Sequence, residues 1–120
     1  MQILIVEPED VLRRSLVSIA AHRFKVDSVS SGAAMRMALE SGEFDAVVIN
    51  SVLPDEDGLA LAKAAENQGM GVIVVAHGPG TERWIGDRGF QMLPKTFSDL
   101  QLLLAIDAAV ARKAPSLERA

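Results

Sequence analysis

Short apolar runs recur along the chain at residues 3–6, 46–49 and 72–76, with a weaker one at residues 90–93. They are rich in β-branched residues and continuous rather than alternating, so the strands they predict are covered on both faces, as in a parallel sheet between helix layers. Between them the spacing becomes helical. Leu12, Leu16, Ile19 and Ala20 share one face of a first helix, and Met35, Ala38 and Leu39 one face of a second that starts after Ser31-Gly32. A further strand fits at residues 25–29, between those helices. Leu59, Leu61, Ala62 and Ala65 mark a third helix, with Asp57 as its N-cap, Gly58 at its start, and Gly69 and Gly71 punctuating its end. Residues 78–89, broken by Pro79, Gly80 and Gly86, leave room for about two turns of helix. The last helix runs from about residue 98 to 113 and stops before Pro115. Five β-α repeats predict an α/β fold: a doubly wound (βα)5 three-layer sandwich around a five-stranded parallel sheet, with its functional crevice at the carboxyl ends of the strands.

Composition narrows the function classes. A length of 120 residues with 49% hydrophobic content suits one domain with its own core and excludes intrinsic disorder. The net charge of -4 argues against a broad grip on nucleic-acid phosphates or on an anionic membrane surface. The absence of cysteine excludes disulfides, thiolate metal sites and thiol catalysis, and the histidines are His22 and His77 alone. No apolar run approaches the roughly 20 residues of a membrane-spanning helix, so a soluble, cytoplasmic protein is expected. The domain is expected to occupy residues 1–113 and residues 114–120 to form a flexible tail, too short for a DNA-binding output domain.

In such a fold the residues just after each strand converge. They are Glu7-Pro8-Glu9-Asp10 after the first strand, Asn50 through Gly58 after the third, Ala76-His77-Gly78 after the fourth and Pro94-Lys95-Thr96-Phe97 after the fifth. In element order and in these motifs the chain, over about residues 2 to 113, resembles the CheY-like receiver domain of bacterial response regulators, a flavodoxin-like fold. The run Ile3-Leu4-Ile5-Val6-Glu7 is similar to the family's first strand with its acidic end. Leu53-Pro54 with Asp57-Gly58 is similar to the loop beyond its phosphorylation site, and Lys95 with Phe97 to its lysine loop.

The resemblance implies that Glu7 and Pro8 stand where two acidic residues hold magnesium, Asn50 where an aspartate attacks a kinase phosphohistidine, and Ala76 and Lys95 where a hydroxyl and an ammonium bind phosphoryl oxygens. Three of these five positions lack the chemistry. Asparagine has no carboxylate nucleophile, proline no side-chain oxygen, and alanine no hydroxyl. Met92 stands where the family usually has a switch aromatic, and no proline follows Lys95, so the Lys95-Thr96 bond is expected to be trans. Glu7 and Lys95 retain one charge of each sign, which predicts a pocket set without metal by a Glu7–Lys95 contact or by Lys95 on the Asn50 amide oxygen. Magnesium binding is expected to be weak or absent, with no other cofactor.

Other features have plainer readings. Glu9 and Asp10 suit the opening turn of a helix, and Asp55, Glu56 and Asp57 suit capping and solubility. Ser51 is expected to point away from the pocket by strand alternation. His77 sits among glycines with no acid partner identifiable, and the Gly-Pro-Gly run reads as a turn. Arg13 and Arg14 read as solvated helix arginines. On the last helix Leu102, Leu103, Ile106 and Val110 make a core face, leaving Leu100 and Leu104 outside it. They mark a partner surface, extended by Trp84, or else fill a gap beside the broken segment. The resemblance implies a stand-alone atypical receiver in two-component phosphorelay signalling. It would be no enzyme but a phosphorylation-independent interaction module for a histidine kinase, a phosphotransfer protein, another regulator or, through the last helix, a second copy of itself. Nucleic acid and membrane are not expected partners. The alternatives are a phosphoryl acceptor using Asp55, Asp57 or His77, and a small-ligand sensor using the emptied pocket.

Overall fold

The computed structural model describes residues 1–76, 83, 85–86, 88–94 and 97–112. Among the described residues the strands are β1 (Gln2–Val6), β2 (Lys25–Val29), β3 (Ala46–Asn50), β4 (Gly71–Val75) and β5 (Gln91–Leu93), and the helices described in full are α1 (Asp10–Ala20), α2 (Gly32–Ser41), α3 (Gly58–Asn67) and α4 (Asp99–Arg112). All strand pairs are parallel and the order is β2-β1-β3-β4-β5. This is the doubly wound, flavodoxin-like arrangement that the repeat of elements predicts. Its winding reverses between β1 and β3, so the crevice opens at the carboxyl ends of those two strands.

Strand alternation sorts the apolar residues into two layers. Leu4, Val6, Val47, Ile49, Val72 and Val74 face one side, where they meet Met35 of α2 and Leu59, Ala62 and Ala65 of α3. Ile3, Ile5, Val48, Ile73 and Val75 face the other, against Leu16 and Ala20 of α1 and Leu102, Ile106 and Ala109 of α4. Every residue of β3 and β4 is buried, hence their unbroken apolar runs. The edge strand β2 instead exposes Lys25, Asp27 and Ser28, charges and polarity that discourage pairing with another chain.

Local chemistry sets the helix ends. The Ser31 hydroxyl accepts from the Ala34 N–H at 3.1 Å to start α2, and the Asp57 carboxylate accepts from the Leu59 N–H at 3.0 Å to start α3. Gly69, at φ +89°, reverses the chain after α3 as a left-handed cap. Gly71 has a different task from the punctuation expected of it: it opens β4, where an added Cβ would collide with the backbone of Ala109, so α4 packs closely on the sheet there. The helix expected within residues 78–89, the Lys95-Thr96 bond and the 114–120 tail fall wholly or largely outside the described residues. No helix among the described residues is long and apolar enough to cross a membrane.

Candidate functional site

Glu7 leaves the end of β1 and Asn50 ends β3, neighbouring strands, so the fold brings together two side chains 43 residues apart. Both are buried, at 1% and 3% exposure. The Asn50 amide donates from Nδ2 to Glu7 Oε1 at 2.9 Å, while its Oδ1 accepts from the Val52 N–H at 2.9 Å. The second carboxylate oxygen of Glu7 accepts from the Glu9 N–H at 3.0 Å. One amide thus bridges an acid and a loop, using a donor and an acceptor at once, which a carboxylate in its place does not do. Arg13 of α1 braces the same turn: its guanidinium donates to the Glu7 carbonyl at 2.9 Å and pairs with Asp10 at 2.5 Å. The expectation of a merely solvated Arg13 is corrected by these contacts, whereas Arg14 is exposed.

Around this pair, Pro8 is half-buried and Ala76 fully buried in the layer that carries α2 and α3. The Ala76 N–H donates to the Leu93 carbonyl at 3.0 Å. Met92, in β5, is half-buried against the same layer. Ser51 is 8% exposed, and its hydroxyl has no hydrogen-bond partner among the described residues. Gly58 lies against the backbone of β3's end, where an added Cβ would overlap the Asn50 carbonyl oxygen and stand 2.7 Å from that of Ser51. Lys95, His77 and Trp84 lie outside the described residues, and with them the expected ties of Lys95 to Glu7 or Asn50.

The acidic loop before α3 does more than the sequence reading assigned to it. Asp55 accepts from the Gly32 and Ala33 N–H groups at 2.8 and 2.9 Å, so it caps α2 from across the structure. Glu56 takes a forked set of bonds from Arg36 of α2, at 2.6 to 3.1 Å. The hydrogen bonds from Gly32 and Ala33 hold the Asp55 carboxyl below its ordinary pKa, with a further contribution from the charge of Arg36. The hydrogen bonds and charge of Arg36 do the same for Glu56. Gly32 fits this clasp because an added Cβ would stand 2.9 to 3.0 Å from the Glu56 side chain. The sequence signal was incomplete: the acids were visible as cap formers, but their partners are 20 to 23 residues away.

On α4, Leu102, Ile106 and Ala109 turn inward, Leu103 and Val110 flank them, and Leu100 and Leu104 remain 62% and 54% exposed. Of the two readings of those leucines, the gap-filling one is corrected: both sit on the outward side of a helix whose core face is already complete.

Comparison with known proteins places this geometry. The profile of the response regulator receiver domain matches residues 3–107. The chain is 40% identical over 60 residues, 49% of its length, to the transcriptional regulatory protein BasR of Escherichia coli. It is 33% identical over 76 residues, 62% of its length, to protein RcaC of Microchaete diplosiphon. These matches span 27% of BasR and 12% of RcaC, so the relatives are considerably longer proteins. Among solved structures, the response regulator receiver protein from Sinorhizobium medicae superposes with a TM-score of 0.81 at 25% identity, over 95% of this chain and 97% of that one. Strand order, matched span and relatives agree: the chain belongs to the response regulator receiver domain family of two-component signalling.

Proposed function

We propose that this receiver works without phosphorylation, as a protein-interaction module within two-component signalling. The observation that carries the reading is Asn50, which stands at the end of β3 where the family's phosphoryl acceptor stands and spends its amide on Glu7 and Val52. An amide has no anionic oxygen with which to attack phosphorus, so no acyl phosphate forms there. The donor set is also wrong for magnesium. Glu7 already accepts two hydrogen bonds, Pro8 offers no side-chain oxygen, and Asn50 directs its N–H rather than its oxygen at the carboxylate. Ala76 supplies no hydroxyl with which a phosphoryl oxygen would draw the next loop inward.

On this reading the protein is no enzyme. It acts by occupancy, binding a kinase, a phosphotransfer protein or another regulator through a surface held in one conformation. The rival assignment of phosphate to Asp55 or Asp57 meets the obstacle that both carboxylates already cap helices. Incubation of the chain with acetyl phosphate and magnesium, followed by intact mass measurement, tests the proposal. The expected mass is that of the unmodified chain; a stable species heavier by one phosphoryl group would overturn it.

A further inference from the structure

At the end of the sheet opposite the Glu7–Asn50 pair, the starts of β4 and β5 border a cavity of about 210 Å³. Its walls come from both helix layers. Glu66 belongs to the last turn of α3, Arg112 to the last turn of α4, and Gly71 and Ala109, which touch, join the two sides. Met70 and Val72 give it an apolar surface. The volume lies below the roughly 300 Å³ at which pockets for drug-sized ligands begin, which sets its occupant at the size of a small metabolite.

Three polar side chains border this space with bonding capacity left over. Gln91 donates from Nε2 to the Ala105 carbonyl at 2.8 Å, but its Oε1 is buried and has no hydrogen-bond partner among the described residues. One carboxylate oxygen of Glu66 accepts from Lys63 at 3.1 Å, and the other accepts nothing among the described residues. Arg112 forms no ion pair among the described residues. An arginine in a last turn is what any helix end favours. A bare, buried acceptor beside it is destabilising until a donor arrives, and the helix end does not account for it.

The carboxyl ends of α3 and α4 both border the cavity, so their dipoles add negative potential where Glu66 and Gln91 already present oxygen. That environment suits an ammonium, while the Arg112 guanidinium suits a carboxylate. We propose that the cavity binds a free α-amino acid with a short apolar side chain. Its ammonium takes Glu66 and Gln91 Oε1, its carboxylate takes Arg112, and its side chain lies on Met70 and Val72. A small turn of the Gln91 carboxamide about its broad terminal torsion brings Oε1 to the ligand. The site shares no residue with the Glu7–Asn50 pair, so it stands or falls apart from the phosphorylation-independent reading.

Titration of the isotope-labelled full chain with L-valine, followed by NMR at the Gly71 amide and the Gln91 side-chain amide, tests the proposal. Saturable shifts of both are expected below about 10 mM. Isobutylamine, which is valine without its carboxylate, and isovalerate, which lacks the ammonium, are each expected to bind at least about tenfold more weakly. Glu66→Gln and Arg112→Gln change exposed residues, so circular dichroism is expected to stay that of the parent while valine binding falls about tenfold. Absence of saturable shifts with L-valine, parent-like binding in either variant, or equal affinity for isobutylamine or isovalerate would overturn the proposal.

Discussion

Asn50 contributes through both ends of its amide, and that makes its replacement informative. Asn50→Ala leaves Glu7 Oε1 without its donor and the Val52 N–H without its acceptor, in a place only 3% exposed. The expected loss in urea denaturation is about 1–3 kcal/mol, the range for stranding a buried polar group. Asn50→Asp would, on the proposed reading, restore the family's acceptor in name, but it sets a second carboxylate beside Glu7, where the amide nitrogen now stands at 2.9 Å. That variant is expected to be less stable than the parent at neutral pH and to take up phosphoryl groups poorly, since Pro8 and Ala76 remain; efficient labelling would show that those two positions matter less than argued. Gly58→Ala drives a methyl into the backbone at the end of β3, and a cost of about 1–3 kcal/mol is expected from the same denaturation experiment. On the proposed reading, the residue types absent from the site are visible at this scale in the sequence itself, because identities need no coordinates. The bond from Asn50 to Glu7 was not legible, since it depends on β1 and β3 lying side by side.

The clasp between the β3–α3 loop and α2 joins elements that propensity treats separately. Asp55 and Glu56 hold their protons less tightly in the folded chain than in the unfolded one. Their contribution is therefore complete above the ordinary carboxylate range near about pH 4 and is lost as the pH falls through and below it. The double variant Asp55→Asn, Glu56→Gln is expected to show a shallower loss of unfolding free energy between about pH 6 and pH 3 than the parent. Parallel curves would mean that the clasp carries no linkage. Most element positions were legible from periodicity, down to the caps at Ser31 and Asp57, because those signals are local. Arg36 as the partner of Glu56, and the N-terminus of α2 as the partner of Asp55, were not: long-range pairing leaves no mark on a window of ten residues.

As a whole molecule, the chain is a receiver scaffold whose sheet order and two packed layers follow from its apolar runs, and among the described residues the Glu7 carboxylate and the Asn50 amide are bonded to each other. Burial also decided a question the sequence left open, by placing Leu100 and Leu104 outside the α4 core face. Leu104→Asp is accordingly expected to leave the thermal midpoint of the isolated chain nearly unchanged, whereas Ile106→Ala, which empties a fully buried position, is expected to cost about 2–5 kcal/mol. A comparable loss in both variants would mean that Leu104 belongs to the core. The central claim is that the Glu7–Asn50 bond closes the site in place of metal and phosphate. It is tested most directly by following the side-chain amide resonances of Asn50 by NMR while magnesium is titrated alone and then together with acetyl phosphate. The account predicts an amide held in its hydrogen bond, with unchanged shifts at every addition; saturable movement of those resonances, with release of the amide from Glu7, would contradict it.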